Sequence, residues 1–306
     1  MEAIRTASRH IYPLDTMDGV PEGRCSAEIA PRKRFPGTPL ASGKPGSQGA
    51  VVRGERVQVA LVHRARGSGF APRVNANEQF TFVLRGTLVA DIDGQLVRVP
   101  RGNVLHIPAG TPCGQAATAD EDAVFYVMQD TRAPFDGFPN EGNMDVTDGA
   151  KPRTRNETGS KKQYVYDIVN LDKVPETPTS AQVIPKNFIS KKSSSFGAAL
   201  RGDRLQVGHI HKGVGSGTKL HTHPNEQFSF VLDGNMIYEI GGQTIEAPPH
   251  SVTHIPHGMQ HSAIASAAGD VLTFVAKDTS HGMSGPPVDG IEDGPIYLPG
   301  FDPRKK

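Results

Sequence analysis

The feature that most constrains this chain is an internal repeat: shifted by 148 residues, Gly49–Gln115 overlies Gly197–Ala263 without a gap. Of the 67 paired positions, 28 are identical. Asn77-Glu-Gln-Phe meets Asn225-Glu-Gln-Phe, and His106-Ile-Pro meets His254-Ile-Pro. A period this long marks a duplicated domain, not a solenoid of short units. Within each copy the pattern is that of short strands. Gln79-Phe-Thr-Phe-Val-Leu and Val104-Leu-His-Ile are β-branched or aromatic and bounded by Gly, Pro or Asp. With 34 Gly and 25 Pro the chain is rich in turns, so the expected class is all-β, built from two antiparallel sandwiches or barrels. The expected boundaries are an irregular arm over 1–48, a first domain over 49–130, a polar linker over 131–162, a second domain over 163–280 and an irregular tail over 281–306. Tyr164-Val-Tyr-Asp is expected to open the second domain's first strand.

Composition excludes some function classes. Lys plus Arg (33) nearly cancels Asp plus Glu (32), so a nucleic-acid or membrane-surface partner is not expected. The start lacks the apolar core of a secretion signal and no apolar run reaches membrane-spanning length, so a cytoplasmic protein is expected. Two cysteines, Cys25 and Cys113, read as free thiols.

The chemistry concentrates in the second copy. His221 and His223 form an H-x-H pair, which on a strand points both rings to one face. His261 returns later from a neighbouring strand and closes a three-imidazole set for a divalent ion. The first copy carries Arg73, Asn75 and Cys113 at these places, with Gln79 where the second has Gln227. Arg73 is permanently cationic, so this copy is expected to be metal-free and to serve stability or dimer packing, with a carboxylate pocket at Arg73 as the alternative. His209 and His257 face Leu61 and Ala109 in the other copy and are candidates for substrate contact or proton transfer. His106 and His254, kept in both copies, read as structural.

Gly215, His221, His223 and Gly234, followed by Pro256, Gly258 and His261, stand at the spacings of the two signature motifs of the cupin superfamily, which the chain resembles. The resemblance implies two double-stranded β-helix (jelly-roll) domains, a bicupin. His250 stands where the second motif has Gly, and the carboxylate of the first is displaced: Gln227 is seven residues before Gly234, with Glu226 one earlier. Strand parity puts 221, 223 and 227 on one face, so the expected ligands are His221, His223, Gln227 and His261; Glu226 replaces Gln227 only if a bulge shifts the register.

The resemblance further implies one divalent metal per chain, Fe(II) favoured, with Zn, Mn or Ni as alternatives. Four neutral ligands leave the ion's charge uncompensated and suit a small anionic or aromatic chelating substrate. The implied activity is a dioxygenase cleaving a phenolic, enolic or diketone substrate. The alternatives are a redox-neutral cyclase, isomerase, decarboxylase or lyase, and a non-enzymatic metal or metabolite binder. A homodimer or larger homo-oligomer is expected.

Overall fold

The computed structural model describes residues 8–35, 46–135, 162–186, 194–292 and 294–305. All but the ends of the expected linker, at 131–135 and 162, lie outside the described residues. Each repeat folds as two antiparallel sheets, one of seven strands and a smaller one of four in the first repeat and five in the second. In the first jelly roll the larger sheet runs Val165–Asp167, Asn103–Ile107, Gln79–Arg85, Ala123–Asp130, Val57–Arg64, Ser47–Arg53 and Glu28–Phe35. In the second it runs Ile11–Pro13, Ser251–Ile255, Gln227–Asp233, Val271–Asp278, Leu205–Lys212, Ser195–Arg201 and Gln182–Ile184.

The central strands are buried on both faces, and alternation assigns each face a task. Phe80 and Phe82 join Phe228, Phe230 and Phe274 in one core shared by the two barrels. Tyr126 stacks on Phe230 at 4.9 Å and Phe82 on Phe274 at 4.3 Å. Burying each ring contributes about 1.5–3 kcal/mol, so this seam is a main source of stability. On the other face of the same strands, Gln79 and Thr81, or Gln227 and Ser229, point into their own barrel.

A reciprocal carboxylate clamp also ties the barrels together. Glu78 reaches across to accept the backbone N–H groups of Asp203, Arg204 and Leu205 at 2.7–2.9 Å. Glu226 does the same for Glu55, Arg56 and Val57 at 2.7–2.9 Å. A Cβ at Gly54 or Gly202 would collide with the incoming carboxylate, which accounts for glycine at both places. His106 and His254 hold these carboxylates at 3.0 and 2.9 Å, so their role is structural.

The structure corrects the reading of both flanks. The arm is not irregular throughout: it holds Ile11–Pro13 and Glu28–Phe35, and Ile11–Pro13 adds to the second barrel by pairing with Ser251–Ile255. Conversely, Val165–Asp167 is a strand but belongs to the first barrel, pairing with Asn103–Ile107. The arms are themselves repeats: Tyr12 and Tyr166 each bond a serine hydroxyl, Ser26 and Ser180, at 3.0 Å. The tail holds Ile296–Tyr297, paired with Ser216 and Gly217. Segments of two or three residues carry too little periodicity to read, and their partners lie far off in sequence.

His250 has φ 66°, where Gly102 in the first copy has φ 81°. The left-handed region costs a non-glycine residue about 1–2 kcal/mol, and His250 is exposed. Glycine's extra chain entropy offsets part of that gain. His250→Gly is therefore expected to stabilise the fold by about 0.5–1 kcal/mol in urea unfolding; a loss of stability would show that the imidazole makes contacts that matter.

Candidate metal centre

His221 ends the strand Ser216–His221, and its backbone pairs with His261, which opens His261–Ala265. His223 follows two residues on, and one ring nitrogen from each of the three lies within 4.8 Å of the others. Each Nδ1 faces a backbone carbonyl: Lys219 O at 2.8 Å for His221, Asn225 O at 3.0 Å for His223 and Met259 O at 2.9 Å for His261. A carbonyl only accepts, so Nδ1 carries the proton and Nε2 is left as a lone pair. Carbonyl contacts of this kind fix the tautomer and ring angle of metal-binding histidines.

Burial keeps the rings neutral. It lowers His221 to about 4, with the charges of Lys277 and Lys212 adding to the effect. Burial and Lys277 lower His223 to about 3, and burial with the neighbouring His221 holds His261 well below the ordinary value. Unprotonated, convergent imidazoles fit a divalent ion. Gln227 donates its amide Nε2 to Ser229 Oγ at 2.8 Å, which leaves its carbonyl oxygen as the atom available beside His223. Glu226 points to the barrel seam and is fully occupied there, as the parity of the strand requires.

Lys277 was not among the residues singled out from the sequence. It replaces Gln129 of the first copy, and its Nζ donates to His223 Nε2 at 2.9 Å and to Met283 O at 2.8 Å. Burial pushes its ammonium down to about 7, with the Asp278 charge acting the other way. The site opens on a cavity of about 620 Å³ lined by His221, Gln227, Tyr238, His261 and Lys277. The tail forms part of the wall through His281–Pro287, and Pro287 bridges to His221.

Neither further histidine expected near the chemistry lines this cavity. His209 shares a strand face with Leu205 and Val207, which pack into the seam between the barrels; its ring lies 6.0 Å from Phe82. His257 is exposed and meets Glu55 of the first domain at 3.1 Å. The contrast with Leu61 and Ala109 marked a difference between the copies, but that difference lies at the domain contact. In the first copy the corresponding side chains bond and pack against one another. Gln79 accepts from Gln129 at 2.7 Å and donates to Thr81 at 2.8 Å, and Arg64 lies over Phe70 and Phe125. Burial pushes the Cys113 thiol up to about 12, as suits an apolar filler. Among the described residues the only cluster of three or more potential metal ligands is the one in the second copy.

The family described as the cupin domain matches residues 60–129 and 208–281, one stretch in each repeat. No curated protein matches the chain. Among solved structures, oxalate decarboxylase from Bacillus subtilis is similar with a TM-score of 0.56 at 12% identity, covering 96% of this chain and 79% of its own. AerE from Microcystis aeruginosa gives 0.55 at 12% identity, covering 77% and 93%. A putative glyoxylate-induced protein from Pseudomonas aeruginosa gives 0.51 at 16% identity, covering 75% and 76%. At these identities the likeness is one of fold.

Proposed function

We propose that this chain, a two-domain cupin, is a metal-dependent enzyme whose second jelly roll holds one divalent ion on His221, His223 and His261, with Gln227 completing the set. The observation that carries this reading is the convergence of three imidazoles, each with Nδ1 on a backbone carbonyl, at the edge of a cavity of about 620 Å³. The substrate is a small, anionic, chelating molecule, and the favoured reaction is oxygen-dependent cleavage of a phenolic, enolic or diketone substrate. When bound, the ion supplies Lewis acidity and, as Fe(II), redox chemistry toward oxygen.

The chain's own residues do the rest. The neutral ligand set leaves the anion of the substrate uncontested, and Lys277, whose Nζ must give up its bond to the His223 Nε2 lone pair when that atom takes the ion, becomes a donor beside the cage for it. Buried Tyr238, its phenol pushed up to about 12 by burial, lines the cavity as a neutral hydroxyl. The segment His281–Pro287 forms part of the wall against which the substrate lies. A second reading, a redox-neutral decarboxylation or isomerisation, is favoured by the same Lys277. An ammonium at the cage can deliver a proton to a carbanion, a step that oxygen-dependent cleavage does not need.

Anaerobic reconstitution of the full chain with Fe(II), Mn(II) or Zn(II) separates the two readings. Oxygen uptake with Fe(II) and catechols or β-diketones is the expected result. Turnover of oxo acids without oxygen, on Mn(II) or Zn(II), would move the assignment to the redox-neutral class. Failure to retain any of the three ions would remove both.

A further inference from the structure

The cavity has a second charged end. Along the strand Leu205–Lys212, Gln206 stands opposite Lys277, while Lys212 stands opposite Ser195. Lys212 is buried, lines the cavity, and among the described residues makes a hydrogen bond only to Ser195 Oγ. A buried cation at this position is kept in both copies, since Arg64 bonds Ser47 in the first. That alone reads as structural. What differs is what faces the cation.

In the first copy Phe70 and Phe125 lie against the Arg64 guanidinium at 5.1 and 5.2 Å and fill the space around it. The repeat places Thr218 and Thr273 at those two positions, and both line the cavity. The exchange of two rings for two hydroxyls opens the cavity as far as Lys212 and leaves its ammonium without an aromatic cover. A buried ammonium with donors to spare has its cost offset by an anion. The cavity supplies little: its lining includes Arg201, Lys212, Lys219 and Lys277, against one carboxylate, the exposed Glu292. Lys212 and His221 line the same cavity.

We propose that this end is a second anion subsite, in which the Lys212 ammonium receives a carboxylate between Thr218 and Thr273, whose hydroxyls donate to Ala263 O and Ile210 O at 3.4 Å and can turn toward it, while the chelating group of the same molecule lies at the histidine cage. The substrate is then a small diacid, such as an oxo acid or phenolate bearing a second carboxylate. This deepens the metal-cage reading above and rests on it.

Calorimetric titration of the Mn(II)-loaded full chain tests the assignment. The probes are 2-oxoglutarate and 2-oxoadipate, each against the mono-acid of equal length, 2-oxopentanoate and 2-oxohexanoate. A hydrogen-bonded charge pair corresponds to roughly 10–100-fold in affinity, so the wild type is expected to prefer at least one diacid by about 10-fold or more. Lys212→Met is expected to reduce that preference to less than about 2-fold, because the ammonium that supplied it is gone, with mono-acid affinity and metal content unchanged. Lys212→Arg, which restores the cation of the first copy, should retain a preference. Lys212→Gln serves the same comparison if the methionine variant does not fold. Equal affinity for diacid and mono-acid in a wild type that holds its metal overturns the second subsite alone, as does a preference that survives loss of the charge. A wild type that holds no metal by elemental analysis overturns the cage reading and this proposal with it.

Discussion

Replacing His223 by alanine is expected to empty the second barrel of its metal while the chain stays folded. Loss of a hydrogen-bonded neighbour of a metal ligand already costs about 10–100-fold in affinity, so loss of a ligand should exceed about 100-fold. The fold should tolerate the change, because among the described residues the His223 ring bonds the Asn225 carbonyl, Lys277 and Gln227 and takes no part in the core between the barrels, and its backbone bond from Gly258 survives truncation. Elemental analysis and far-UV circular dichroism on the same sample check both halves. Gln227→Ala should weaken retention further than Glu226→Ala, since the Glu226 carboxylate is held at the barrel seam by three backbone N–H groups and His254. The reverse order would show that the strand shifts register when metal binds.

Glu78→Ala is expected to destabilise the chain by about 3–5 kcal/mol, the range seen when one partner of a buried charged pair is removed. The truncation leaves three backbone N–H groups and His106 without their acceptor, and Glu78 is 1% exposed. Urea unfolding measures it, and a cost below about 1 kcal/mol would mean that water replaces the carboxylate. The same group predicts a pH effect. Burial alone would raise its pKa, but the His106 hydrogen bond and charge, with the N–H donors of Arg204 and Asp203, outweigh burial and hold it below the ordinary value. A depressed folded pKa gives stability that is present above the unfolded value, about 4.3, and is lost as pH falls through the folded one. Wild type should therefore lose stability more steeply than Glu78→Gln on acidification below about pH 4.3.

Much of this was legible in the sequence where signals were periodic and local. The 148-residue shift fixed the duplication, and strand parity separated Gln227 from Glu226 without any coordinates. Lys277 escaped because the gapless comparison stopped at Gln115 and Ala263; carried on to the last strand, it sets Lys277 against Gln129, a cation against an amide. His209 misled because a difference between copies says nothing about which face a residue occupies. Counting from Lys277's neighbour Gln206 would have placed it on the opposite face. The arms hid for another reason. Tyr12 and Tyr166 differ by 154 positions, not 148, so a fixed shift passes over them.

The crossed placement of Ile11–Pro13 has a consequence for how the molecule is made. Ile11 pairs with Thr253, so the sheet partner of this strand is synthesised about 240 residues after it. At about 5–20 residues per second that wait is tens of seconds. The nascent first barrel also lacks its Val165–Asp167 edge until translation passes that point. Each barrel therefore waits on an edge strand from the other half of the chain, and a truncated product ending at the linker would carry an unpaired strand and a bare aromatic face, both invitations to aggregate.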